Sequence, residues 1–226
     1  VGGSGAGRVS FPVPVPDGLR AAAAQFDRPD ALSFIQGART PQGKRRAAVL
    51  ILLSGEPNAY EIVLVEKRPD LRSHAGQIAF PGGSLEPQDL NPVAAALREA
   101  NEEVGIDPSA VVVLGSLPDA HIPRSGFDVT SVVGWWGEPV RLQVVDVGEL
   151  AGVHQVPVSR LLDPANRSTW AHPGGFRGPA FTLDDLYVWG FTAYLLDGLF
   201  DLLGWTQPWA TDLVTEIPPR FLSERL

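Results

Sequence analysis

The chain contains no cysteine, which excludes disulfides, thiolate metal sites, iron–sulfur clusters and a cysteine nucleophile. It contains no methionine either. Charged residues are sparse, 19% of the chain against a usual value of about 25%. Cations are the scarcer sign: 18 Lys and Arg stand against 26 Asp and Glu, a net charge of −8. That balance gives no whole-surface attraction to nucleic acid or to an anionic membrane, and neither is expected as a partner. An anionic substrate would need local help, for which metal cations are the obvious source. Long apolar runs are missing too. The nearest to one, Leu186 to Trp205, is broken by Asp197 and Asp201 and carries Thr192, so an amphipathic helix is expected rather than a membrane span. Val1 to Gly18 lack a basic cluster followed by an apolar run, so no secretory leader is expected and the cytoplasm is the expected location. Glu224-Arg225-Leu226 is only a poor relative of a peroxisomal address. No internal repeat is present.

Glycine and proline are abundant instead, 24 and 21 residues or about a fifth of the chain, where about 12% is average. With an ordinary 44% of hydrophobic residues, this excess points to loops rather than disorder. A chain of 226 residues is long enough to bury roughly 70–75% of its unfolded surface without covalent staples. One domain is expected, with at most a small appendage.

Residues 1–45 read as a loose arm rich in Gly, Ser and Pro, with a short helix over Leu19–Phe26. Ala47–Leu53 is a continuous apolar run of strand length and reads as a central buried strand. Tyr60–Lys67 is a second strand, joined to the first by a Gly55–Asn58 hairpin turn. Further strands are expected at Gln77–Phe80, Val111–Leu117, Val129–Trp136 and His154–Val158. Asn91 as N-cap, Pro92 at the first helical position and Gly105 at the end predict a helix over Pro92–Val104. A second helix is expected over Asp185–Leu203, although Tyr187-Val188-Trp189 also suits a strand. Residues 205–226, with Pro208, Pro218 and Pro219, read as a tail wrapped on the surface of the same domain. The fold class is α/β (α+β), a mixed β-sheet between helices.

On the helix 92–104, Val93, Leu97, Ala100 and Val104 form an apolar stripe, and Glu99, Glu102 and Glu103 fall on the side away from it. Carboxylates at this spacing repel one another by a few tenths of a kcal/mol per pair, roughly. A cation is expected among them, and Mg²⁺ in particular is held by a few carboxylates plus water and phosphate oxygens. Ahead of the helix, Gln77-Ile-Ala-Phe-Pro-Gly-Gly83 runs a strand into a tight turn, and a loop with Glu86 and Asp89 leads to the acidic helix.

This segment, Gly83-x5-Asp89-x8-Arg98-Glu99-Ala100-Asn101-Glu102-Glu103-Val104-Gly105-Ile106, resembles the Nudix box. The box reads G-x5-E-x7-R-E-U-x-E-E-x-G-U, with U a bulky apolar residue. Its second half matches at every charged and glycine position. The departures are Asp89 in place of the first Glu, one extra residue before Arg98, and Ala100 where a larger apolar residue is usual. Upstream, Val63-Leu-Val-Glu-Lys-Arg68, Arg72-x3-Gly76 and Phe80-Pro-Gly-Gly83 are similar to the L-L-T-x-R-S-x3-R-x3-G-x3-F-P-G-G element of the coenzyme A pyrophosphatase subgroup. Val63, Val65, Lys67 and Arg68 replace subgroup residues there. Ser125-Gly-Phe-x-Val129, Glu149 with Val156-Pro-Val158, and Trp189-Gly-x-Thr192 resemble downstream landmarks of the subgroup, so the likeness covers roughly 47–203 and frames a domain over 46–204.

The resemblance implies an αβα sandwich of the Nudix type. It also implies a metal-dependent diphosphatase using Mg²⁺ or Mn²⁺, on Glu99, Glu102 and Glu103 with Gly83 approaching closely. For coenzyme A the products would be 4′-phosphopantetheine and adenosine 3′,5′-bisphosphate. Arg98 is expected to orient a glutamate through a two-point ion pair. The general base is a box glutamate or an acid from a later loop, with Glu149 the candidate, or else Glu149 is only a surface carboxylate. Arg72, His74, Gln77 and Asp89 are candidates for contact with the substrate. For Arg72 the alternative is pairing with Asp70, and for His74 and Gln77 a structural hydrogen bond. His121 and Arg124 either meet substrate or do nothing there. Trp135 and Trp136 either stack on adenine or belong to the core. Other substrates fit the box as well, namely ADP-ribose, NADH or a dinucleoside polyphosphate, and so does a non-catalytic nucleotide sensor. The chain is expected to be a monomer or homodimer.

Overall fold

The computed structural model describes residues 14–28, 31, 45–71, 73–123 and 125–221. Arg72 and Arg124 lie outside them. Helix α1 spans Asp17–Ala23, and β1 (Arg45–Ser54) and β2 (Glu61–Lys67) form the expected hairpin. Then follow β3 (Ile78–Ala79), β4 (Gly82–Ser84), α2 (Pro92–Val104), β5 (Val111–Ile122), β6 (Phe127–Trp136) and β7 (Leu150–Pro157). The rest comprises α3 (Val158–Leu162), β8 (Arg167–Ala171), β9 (Arg177–Leu183), β10 (Leu186–Val188), α4 (Gly190–Leu202) and β11 (Val214–Glu216).

β1 is the centre of a seven-stranded mixed sheet. It pairs in parallel with β6 along its whole length, from Arg45↔Phe127 to Ser54↔Trp136. On its other edge β1 pairs with β2 only next to the turn, at Leu53↔Ile62 and Ser54↔Glu61. Beyond that the two strands part, and the chain from Ile78 to Ser84 fills the fork between them. β3 pairs with β2 at Val65↔Ala79, and β4 pairs with β1 at Ala48↔Gly83. The far edge of β2 pairs with β7 from Glu61↔Pro157 to Lys67↔Leu150. Proline suits the crossing between β3 and β4 because no partner is needed for its missing N–H, while the Pro81 carbonyl accepts the Leu50 N–H at 2.8 Å.

The alternation of β1 and β2 sorts their side chains onto two faces. Leu50, Leu52, Val63 and Val65 lie under Ala95, Ala96, Ala100 and Val104 of α2. Ile51, Leu53, Ile62 and Leu64 pack with Leu19 of α1, Leu196 and Phe200 of α4, and Phe181 of β9. A strand buried on both faces reads as an unbroken apolar run, which is what Ala47–Leu53 is. The helix–sheet–helix layering is therefore as expected. The alanines on the inner face of α2 let it approach the sheet closely, and Asn91 caps it by accepting the Ala94 N–H at 2.9 Å. Gly105 ends it in the left-handed conformation, at φ 74°.

A second, four-stranded sheet, in the order β10-β9-β8-β11, was not anticipated. The segment expected to be helical from Asp185 begins as β10, and the helix starts only at Gly190. Strand pairing of Leu186–Val188 with β9 overrides the apolar continuity of the sequence. The tail is more than a wrap: β11 pairs in parallel with β8, and Phe221 stacks on Tyr187. Arg167 of β8 is fully buried, ion-paired with Asp197 of α4 and capped by the Trp209 ring at 4.4 Å. Among the described residues no helix is long and apolar enough to cross a membrane.

The N-cap of α2 is expected to be worth about 1 kcal/mol, within a usual range of roughly 0.5–2. Chemical denaturation of Asn91→Ala should show that loss, and Asn91→Asp should restore most of it.

Candidate active site

The fork between β1 and β2 sets the Gly82-Gly83 turn directly against α2. The Gly82 N–H donates to Glu103 Oε2 at 3.0 Å. A Cβ on Gly83 would overlap the carboxylate of Glu99, so a larger residue there would push that carboxylate out of its place. Glu103 is 2% exposed and belongs to the buried face of α2 with Ala96 and Ala100. This corrects the expectation that all three glutamates point away from the apolar stripe. Val93 and Leu97, assigned to that stripe, are only partly buried.

A buried carboxylate requires a partner. Lys67 supplies it at the inward-facing end of β2, two residues beyond Val65. Its Nζ donates to Glu103 Oε1 at 2.8 Å and to Glu149 Oε1 at 2.7 Å. Glu149 reaches the site on a loop pinned by its backbone: the Val145 N–H donates to the Glu103 carbonyl at 2.9 Å, and the Arg68 N–H to the Glu149 carbonyl at 2.9 Å. Two carboxylates thus share one ammonium. Burial alone would lower the Lys67 pKa, but Glu103 and Glu149 outweigh it and hold it above the usual lysine value. Burial pushes Glu103 above the usual carboxylate range, against the pull of Lys67 and the Gly82 N–H, and the nearby Glu149 adds to the rise. Glu99 is raised by burial as well, with Arg98 opposing and Glu102 and Glu149 adding.

Arg98 organises the other side of the cluster. Its Nε and Nη2 donate to the two oxygens of Asp89, at 3.0 and 2.9 Å. Nη1 serves Glu99 Oε1 at 3.0 Å and Glu102 Oε2 at 2.9 Å, and Nη2 also reaches the Ser84 carbonyl at 3.2 Å. All five N–H groups of the guanidinium therefore have acceptors. The two-point partner is Asp89 and not a glutamate, as had been expected. Asp89, assigned to substrate contact, is 4% exposed at its side chain, with its oxygens taken by Arg98 and the Glu86 N–H. Its pKa is lowered by those two interactions.

Five carboxylates stand here against two cations, Arg98 and Lys67. Among the described residues no three Asp, Glu or His side chains converge as a ready-made metal site; Arg98 holds three of the carboxylates and Lys67 the other two. The donor set nevertheless fits a hard divalent ion: it is all oxygen, partly buried and short of positive charge. Glu99, Glu102 and Glu103 are the residues that would hold one, with Glu149 beside them.

Beside Glu149 and Lys67 a cavity of about 460 Å³ opens, lined also by Leu71, Ser73, His74 and Gly148. His74 Nδ1 lies 2.9 Å from Gln77 Oε1, so these two candidates bond to each other, with His74 also facing the cavity. Arg72 belongs to the same segment but is outside the described residues. Trp135 and Trp136 are both buried in the core, which rules out stacking on a base. His121 is tied to the buried Asp128 at 2.7 Å on the β5–β6 pair.

Lys67 is the residue that sequence reasoning passed over, noting it only as a replacement. It lies 36 residues from Glu103 and 82 from Glu149, so no local pattern links them. A signal was available: Val63, Val65 and Lys67 share one strand face, and a lysine on an inward face demands an acid.

The NUDIX domain family model matches residues 44–172. The chain is 36% identical over 175 residues to the uncharacterized Nudix hydrolase NudL of Shigella flexneri, covering 74% of this chain and 88% of that one. It is 38% identical over 154 residues to NudL of Yersinia enterocolitica, covering 66% and 77%. Among solved structures, the Nudix hydrolase RenU of M. smegmatis is 20% identical, with a TM-score of 0.47, over 70% of this chain and 85% of that one.

Asp89→Asn should lower stability by about 1.5 kcal/mol, the low end for hydrogen bonds to a charged group because Arg98 is partly exposed. Since the folded pKa of Asp89 is depressed, this contribution is present above the unfolded value of about 3.9 and is lost as pH falls through the folded value. Denaturation at neutral pH should show the gap between wild type and variant, and denaturation in strong acid should show it closing.

Proposed function

Because the chain belongs to the Nudix family, we propose that it is a metal-dependent hydrolase that cleaves the diphosphate bond of coenzyme A. Nudix hydrolases generally use divalent cations and act on nucleoside diphosphate derivatives. The observation that supports the finer reading is the cavity beside Glu149, because Lys67, Leu71, Ser73 and His74 in its lining all fall within the stretch 63–83 that resembles the coenzyme A pyrophosphatase element. At about 460 Å³ the cavity is in the usual range for a small-molecule site, roughly 300–1,000 Å³. Among the described residues it has no Phe, Tyr or Trp on which a base could stack. Its walls combine Leu71 and the Gly148 backbone with Ser73, His74 and the charged Lys67 and Glu149, a mixed lining that can take the polar pantetheine arm.

Mg²⁺ or Mn²⁺ held by Glu99, Glu102 and Glu103 would neutralise diphosphate charge and lower the pKa of an attacking water. Gly83, having no Cβ, lets the backbone approach the Glu99 carboxylate closely. Arg98, anchored by Asp89, fixes the directions of Glu99 and Glu102. Glu149, half exposed at the cavity, serves as the general base and takes one proton from water as its oxygen attacks phosphorus. The new P–O bond forms as the bridging P–O bond breaks, and the second phosphate leaves. The products are 4′-phosphopantetheine and adenosine 3′,5′-bisphosphate. Arg72, His74 and Gln77 would line the approach of the substrate.

Incubation of the purified chain with MgCl₂ or MnCl₂ and coenzyme A should yield both products by chromatography. Glu103→Gln should cut kcat at least about 100-fold, since loss of a group that only hydrogen-bonds to a metal ligand already costs about 10–100-fold. A higher kcat/KM for ADP-ribose, NADH or a dinucleoside polyphosphate would overturn the coenzyme A reading and keep the hydrolase.

A further inference from the structure

Lys67 presents an unusual arrangement for a site that must accept a divalent ion. Its ammonium sits between Glu103, which would serve as a ligand, and Glu149, the acid beside it, 2.8 Å from Glu103 Oε1 and 2.7 Å from Glu149 Oε1. The other oxygen of Glu103 is already taken by the Gly82 N–H. A Mg²⁺ ion binds carboxylate oxygen at about 2.0–2.1 Å. An ion seated on Glu103 Oε1 would therefore share that oxygen with Nζ and stand within a few ångströms of it. Lysine carries three N–H donors, and no protein acceptor for the third is found among the described residues. The same side chain lines the cavity of about 460 Å³. A flexible four-carbon stem can move there without disturbing the core, which the planar, multiply bonded Arg98 cannot do.

We propose that Lys67 is an exchangeable counter-cation. In the metal-free protein its ammonium neutralises Glu103 and docks Glu149 onto it, and when a divalent ion arrives the ammonium releases both oxygens and turns into the cavity. This rests on the metal-dependent reading of the site, but not on the identity of the substrate. Lys67 is thus a positioning residue with two positions. It keeps a buried acid compensated before loading, and it sets the affinity for metal by competing for the same oxygens. In the cavity its charge lies where an anionic group of the substrate would enter.

Two measurements on the full chain test this, neither with substrate present. Titration calorimetry with MnCl₂ should give tighter binding for Lys67→Met than for wild type, on the order of tenfold for removal of a unit positive charge a few ångströms from the ion. Lys67→Arg, which keeps the charge, should stay within about threefold of wild type. Equal or weaker binding by Lys67→Met would overturn the proposal, since a residue that merely orients Glu103 gives that result. The second uses the wild type, so it does not depend on a variant folding. The Lys67 ammonium signal, followed by ¹⁵N NMR during titration with MgCl₂, should shift and lose its protection from exchange as metal saturates. A signal unchanged at saturation would overturn the proposal. A chain that passes both and leaves coenzyme A intact would refute the proposed substrate alone.

Discussion

A carboxylate that is almost fully buried is the constraint from which the arrangement of this site follows. Glu103 is held in place by α2, whose inner alanines press it against the sheet, so it cannot reach solvent for compensation. The compensation comes instead from two sources that the sheet topology delivers. One is the Gly82 N–H, placed where β1 and β2 part, and the other is the Lys67 ammonium at the end of β2. Removing either would leave a buried acid short of a partner, at a cost well above that of an ordinary surface change.

Around this core the second half of the cluster is arranged by an arginine whose every donor is used. Arg98 is fixed by Asp89 and in turn fixes Glu99 and Glu102. The result is a set of five carboxylates shared between two cations, three on Arg98 and two on Lys67, with more negative than positive charge. A protein of net charge −8 thus spends part of its acidity on one helix and one loop. Under the proposed function, divalent ions would be drawn there.

Much of this was legible in the residues. The helix over Pro92–Val104 was bounded by its own capping chemistry, and its ends in the structure are the same. The strands around Ala47–Leu53 and Tyr60–Lys67 followed from apolar continuity and turn composition, because a strand buried on both faces has few alternatives. The second sheet was not legible: Arg167–Ala171 and Arg177–Leu183 contain Arg, Gly and Pro, and become strands by pairing with each other and with the tail. The site divides in the same way. Glu99, Glu102 and Glu103 are given by local spacing, as is the need for Gly83. The roles of Lys67 and Asp89 are set by contacts across the fork and across the loop, which no periodicity in the sequence expresses.

On this reading the carboxylates gathered at the Gly82-Gly83 turn form a divalent-cation site once the Lys67 ammonium gives way. Anomalous scattering from crystals of the chain grown with MnCl₂ tests it most directly. The account predicts a manganese peak in contact with the Glu103 carboxylate, with Lys67 displaced from it. A peak remote from Glu99, Glu102 and Glu103, or Lys67 still bridging Glu103 and Glu149 beside bound manganese, would contradict it.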